Sequence, residues 1–183
     1  MGVVDGIKSA SLFGKLAFFL LAVALLIVYI AFATTGWGEN ASGKHWGLWR
    51  ICGNNEYSPG CTPVDGWALD WYVATQALAI FGFVGINVAF LLVCLLLFTS
   101  QCGGNKEVGM GAAIICLITG VLLLIGCIVF GVKFDDRYID QFPTIKHKLS
   151  YSFGLAIVAS ILEIVAGVFM LVNGLGKGTS PSG

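Results

Sequence analysis

The chain predicts a membrane all-α four-helix bundle that carries a small extracellular antiparallel β-sheet, and three observations predict it. Four long apolar stretches follow one another: Leu16–Ala33, Val73–Phe98, Val108–Val132 and Leu149–Leu175, the last broken only by Glu163. A polar loop of about 39 residues (34–72) separates the first two and holds all five tryptophans. The same loop contains Cys52 and Cys61, the only cysteines outside the spans and the short loop between the second and third of them.

The apolar stretches come first, because they set the solvent. Of the 183 residues, 57% are hydrophobic and 11% charged, and the mean hydropathy is +0.90, outside the usual balance of a soluble domain. A hydrocarbon layer about 30 Å thick takes roughly 20 helical residues, so four runs make four spans with little chain to spare. A soluble helical protein of this size cannot bury four helices that are apolar all round. The expected spans are 13–33, 73–98, 108–132 and 150–174, in a single domain covering 1–183. The outer loops are 34–72 and 133–149, the cytoplasmic loop 99–107 and the tail 175–183.

Ala31-Phe32-Ala33 has the form of a signal-peptidase site. The apolar core before it is 18 residues long, beyond the roughly 7–15 of a cleaved signal, so the first stretch is read as a retained span. Four spans put both termini on one side. Counting basic residues argues against a cytoplasmic placement of the termini: Lys44, Arg50, Lys133, Arg137, Lys146 and Lys148 lie in the two outer loops, against Lys8, Lys15, Lys106 and Lys177 elsewhere. Glu39, Glu56, Asp65, Asp70, Asp135, Asp136 and Asp140 offset those loop charges. The cysteine pair and the sequon Asn40-Ala41-Ser42 suit an oxidising, glycosylating compartment. Both termini are therefore expected in the cytoplasm.

The first outer loop is too long for a mere connector. Trp46, Trp49, Tyr57, Pro59, Gly60, Pro63, Gly66 and Trp67 suit short strands joined by turns, hence an antiparallel sheet. The Cys52/Cys61 pair reads as a disulfide closing about ten residues, worth roughly 2.5–3 kcal/mol. Two free thiols, or a metal shared with His45, are the alternatives, although Cys-x8-Cys with one histidine lacks a usual zinc spacing. Trp46, Trp49, Trp67 and Trp71 are expected mainly as membrane-interface anchors. Asn40 is a glycosylation candidate, and Cys102, beside the second span, a palmitoylation candidate.

Within the spans, Asn87, Thr119 and Glu163 fall at similar depth and are expected to share hydrogen bonds. Ala156, Ser160, Glu163 and Gly167 lie on one helix face, which aims the carboxyl into the bundle. A neutral, hydrogen-bonded carboxyl that fixes helix register is preferred to an ion or proton pathway, because the spans offer no second acid and no base. Ala112, Cys116, Gly120, Cys127 and Gly131 make a small-residue stripe for close helix packing. No catalytic set, cofactor motif or metal site is found, and no nucleic-acid partner is expected.

Trp37, the run Gly47-Leu48-Trp49, then Cys52 and Cys61, together with the four spans and Tyr151-Ser152-Phe153-Gly154, resemble the signature of the claudin / peripheral myelin protein / epithelial membrane protein superfamily. The resemblance covers nearly the whole chain. It implies a sheet built mostly from the first loop, with one more strand from the second, and a Gly-Leu-Trp corner that seats the sheet on the helix tops and outer leaflet. Claudins typically carry an arginine where this chain has Gln76, and commonly end in Tyr-Val rather than Ser180-Pro181-Ser182-Gly183. The sequon is closer to the myelin and epithelial branch. The resemblance implies a plasma-membrane protein of cell-cell contacts that associates with itself in cis and in trans, with a paracellular barrier as one outcome. The alternative is an auxiliary subunit of an ion channel or receptor, of the calcium-channel gamma or AMPA-receptor regulatory type.

Overall fold

The computed structural model describes residues 11–55, 58–64, 69–99, 105–141 and 147–176. Cys102 and Trp67 lie outside them, as do Glu56, Tyr57, Asp65, Gly66, most of the predicted cytoplasmic loop and most of the tail.

Four helices form in the order the hydropathy sets: α1 (Leu12–Ala33), α2 (Asp70–Phe98), α3 (Lys106–Gln141) and α4 (Tyr151–Gly176). All four are long and apolar enough to cross a membrane. Local chemistry fixes several ends. Ser11 caps α1 by accepting from the Gly14 N–H, and Asn105 does the same for Glu107 at the start of α3. The helices pack as a ring, α1 against α4, α4 against α3, α3 against α2, and more thinly α2 against α1.

Small residues set the closest approaches. A Cβ on Gly120 would come within 2.8 Å of Ile164, and one on Gly167 within 3.0 Å of the Cys116 Cβ, so the α3 stripe packs inside the bundle against α4. Ala112, Cys116 and Cys127 of that stripe are fully buried. Ala156, Ser160 and Glu163 face inward from α4, as the helical spacing predicts.

The polar segments make one five-stranded antiparallel sheet, ordered β4-β3-β2-β1-β5. Its strands are β1 (Gly38–Asn40), β2 (His45–Trp46), β3 (Arg50–Asn55), β4 (Ser58–Pro63) and β5 (His147–Leu149). The first loop supplies four strands in a meander, and the second adds β5 beside β1 with Glu39 opposite Lys148. Pro59 and Pro63 lie on the edge strand β4, where a missing N–H costs no ladder bond and discourages further pairing.

The helix α3 continues past Val132 to Gln141, so the segment that follows the expected third span is still helical. Hydropathy marks where the lipid ends; a helix can continue beyond it. The extension carries Phe134, fully buried, up to the sheet.

Candidate functional site

The junction between sheet and bundle contains the densest set of specific contacts. It is built on the exit of α1. The last turn of a helix leaves carbonyls without intrahelical partners, and here side chains from the following loop take them up. Thr34 N–H and hydroxyl both donate to Ile30 O. The Trp37 indole N–H donates to Ala31 O at 2.8 Å, and that of Trp49 to Phe32 O at 3.0 Å. Two of the signature tryptophans are thus the C-terminal cap of the first span.

The Gly47-Leu48-Trp49 corner is fixed from the other side by α2. Tyr72 hydroxyl donates to Gly47 O, and Gln76 Nε2 donates to Leu48 O at 2.7 Å. Gly47 is required by proximity: a Cβ there would lie 2.8 Å from both Thr34 O and Thr35 Cα. Leu48 is fully buried. Sequence reasoning treated Gln76 only as a departure from an expected arginine; its bond to the corner carbonyl depends on how α2 docks, which no local signal reveals. Tyr72, too, carries no sequence signal for its role.

The tryptophans divide differently from expectation. Trp46 is not an interface anchor: it is 1% exposed and lies edge-on to Phe134, with centroids 5.5 Å apart. Trp37 meets Phe130 in the same manner at 5.2 Å. Trp71 packs on Tyr72 and Phe130, and Trp49, half-buried, leans on Phe32. The physical reason is an aromatic cluster beneath the sheet, made by Phe130 at the end of the expected span and by Phe134 on the part of α3 that continues past Val132.

Cys52 and Cys61 are opposite each other on β3 and β4 and are joined by a disulfide. It staples the pair of strands at one end of the sheet. At the opposite side of the sheet, Glu39 accepts from Lys148 Nζ at 2.8 Å and lies 3.5 Å from His45 Nδ1. One carboxylate therefore bridges strands from both loops. The Lys148 hydrogen bond, more than its charge alone, holds the Glu39 pKa below the usual carboxylate value.

Asn40 sits at the turn between β1 and β2. Its Oδ1 accepts from Ser42 N, Ser42 Oγ and Lys44 N, and Gly43 supplies the positive φ that closes the turn. This occupies the carbonyl oxygen of the side-chain amide with local donors.

Inside the bundle, Thr119 and Glu163 come together, with Oγ1 and Oε1 2.6 Å apart. Thr119 Oγ1 also lies 2.7 Å from Ile115 O. A hydroxyl has a single hydrogen to donate, so both contacts are filled when the carboxyl carries a hydrogen of its own. Asn87 does not join them. It donates to Phe83 O and accepts from Tyr29 hydroxyl at 2.9 Å, because α2 presents it towards α1. The shared network of three is therefore two separate pairs.

No group of three or more metal-ligating side chains occurs among the described residues. No curated protein matches the chain. The description of the PMP-22/EMP/MP20/Claudin family does match, over residues 9–170. With that match spanning most of its length, the chain belongs to the PMP-22/EMP/MP20/Claudin family.

Proposed function

We propose that this protein works by contact: an integral membrane protein of the plasma membrane, with both termini in the cytoplasm, whose extracellular sheet organises cell-cell junctions or membrane apposition. One observation carries the reading. The sheet is stapled by Cys52–Cys61, pinned to the exit of α1 by Trp37 and Trp49, and tied to α2 through Tyr72 and Gln76. Such a platform loses little conformational entropy when it meets a partner, which favours recognition by a preformed surface. Self-association in cis and in trans, with a paracellular barrier as its consequence, follows from presenting the same surface on neighbouring and opposing membranes. The sequon at Asn40 and the cysteine pair support the outward orientation.

The alternative, an auxiliary subunit of a channel or receptor, is also implied by the resemblance, and the intramembrane Glu163 adds no support to it. That side chain is fully buried and bonded to Thr119, so it serves its own bundle and offers nothing to a neighbouring protein. Expression of the tagged chain in contact-forming cells that lack it tests the proposal. Enrichment where two expressing cells touch, lost when only one expresses, supports homotypic contact. Uniform surface staining, with one stoichiometric channel or receptor co-purifying, supports the alternative.

A further inference from the structure

We propose that two copies of this chain lie side by side in one membrane and pair through the α1–α2 face, each bonding its Tyr29–Asn87 pair to that of the other. Both side chains sit deep in the wall of the bundle. Asn87 is eleven residues before the end of α2 at Phe98, and the polar run Thr99-Ser100-Gln101 follows. At 1.5 Å per residue Asn87 stands about 16 Å from that end, near the middle of a hydrocarbon layer about 30 Å thick. Tyr29 is four residues before the end of α1. Its side chain leans back along the helix towards the same level, where the hydroxyl donates to Asn87 Oδ1 at 2.9 Å.

The pair is not enclosed by its own bundle. Tyr29 is 48% exposed, Asn87 is half-buried, and the seam between α1 and α2 is the thinnest in the ring. Asn87 uses one amide hydrogen on Phe83 O and its carbonyl oxygen on Tyr29. A second amide hydrogen and the lone pairs of the phenol oxygen have no partner among the described residues. At this depth there is no water to meet them, and acyl chains carry neither donor nor acceptor. A second copy carries both. Copies in one membrane share an orientation, so a two-fold axis along the membrane normal brings identical residues together at identical depth. The free amide hydrogen of Asn87 in each copy then donates to the Tyr29 oxygen of the other, and both groups are met at once. Leu26 on α1, and Val84 and Leu91 on α2, lie three or four residues from the pair on the same faces and are each more than half exposed, which supplies apolar contact around the bonds. The inference deepens the cis part of the proposed self-association and is independent of what the sheet meets on an opposing membrane.

Photocrosslinking of the purified full chain in dioleoylphosphatidylcholine vesicles tests it, with p-benzoylphenylalanine in place of Val84, or of Ile118 on α3 or Val168 on α4, which are exposed on other faces. Illumination should join two copies from position 84 and not from 118 or 168. Energy transfer between labelled copies, followed as the vesicles are diluted with lipid, should report a dimer that Tyr29→Phe and Asn87→Leu each weaken about tenfold, through the loss of two symmetric interhelical hydrogen bonds. Tyr29→Phe keeps the ring that packs on Phe83, and the Cys52–Cys61 bond, followed by intact mass, reports that each variant has folded. A monomer at every dilution, crosslinks from 118 or 168 in place of 84, or a dimer unchanged in both variants would each overturn the proposal. So would position 84, in cell membranes, joining a different protein in place of a second copy. A monomeric result leaves enrichment at cell contacts, which reads the sheet, unaffected.

Discussion

The carbonyls of Gly47 and Leu48 find their donors on α2, in Tyr72 and Gln76, and single substitutions there separate a corner held by specific bonds from one held by apolar burial. Gln76→Leu leaves the Leu48 carbonyl without its donor and should lower stability by about 1–3 kcal/mol. Gln76→Arg restores a donor at the same place and should fall within about 1 kcal/mol of the parent. Thermal unfolding in detergent distinguishes them. For the intramembrane pair, Glu163→Gln keeps a group that can donate to Thr119 and should be tolerated within about 1 kcal/mol. Glu163→Ala removes the partner and leaves a cavity, and should cost about 2–4 kcal/mol by the same measurement. Glu39 supplies the pH dependence. Its carboxyl is held below the ordinary value of 4.5 by Lys148, so its bridge contributes stability above that value. The contribution is lost as pH falls through the lower folded value. Protection of the β5 backbone amides, taken relative to the intrinsic exchange rate at each pH, should fall on acidification below 4.5, and Glu39→Gln should remove that dependence.

At the scale of elements, the β3–β4 hairpin ends the strand order on the side away from β5, and the disulfide cross-links its two strands. Replacing both Cys52 and Cys61 by Ser should cost roughly 2.5–3 kcal/mol. Limited proteolysis should then cut within 50–63 while the four helices stay protected; equal protection of the hairpin in the variant would show that strand pairing alone suffices. The elements differed in how legible they were. The spans could be read directly, because lipid forces an uninterrupted apolar run on any helix that crosses it. The meander was legible as strands from its turn residues and its cysteine pair. The length of α3 was not: Asp135, Asp136 and Arg137 end the apolar run, and once a helix leaves the lipid nothing requires it to remain apolar. That hidden extension is also why Trp46 was misread. An indole near a membrane boundary has the same local sequence whether it meets headgroups or a phenyl ring raised from another helix. The pairing of β1 with β5 was equally silent, since its partners Glu39 and Lys148 lie far apart in the chain and no local pattern marks them as opposite.

At the scale of the whole molecule, two loops separated by two long apolar helices close into one sheet fixed at one end of the bundle. Orientation has a simple check in the sequon. Glycosidase treatment of protein from secretory-competent cells should reduce its apparent mass, and Asn40→Gln should remove the effect. The claim that the loops form one sheet is tested most directly by the cross-strand pair that joins them. Glu39 and Lys148 are directly opposite in register, which places their Cβ atoms about 4.5–5.5 Å apart. In the Glu39→Cys/Lys148→Cys variant, a short, membrane-impermeant bifunctional thiol reagent applied to intact cells should join the two positions within one chain, as read by mass spectrometry of the linked peptides. Absence of that link, with both thiols reacting singly or not at all, would contradict the account.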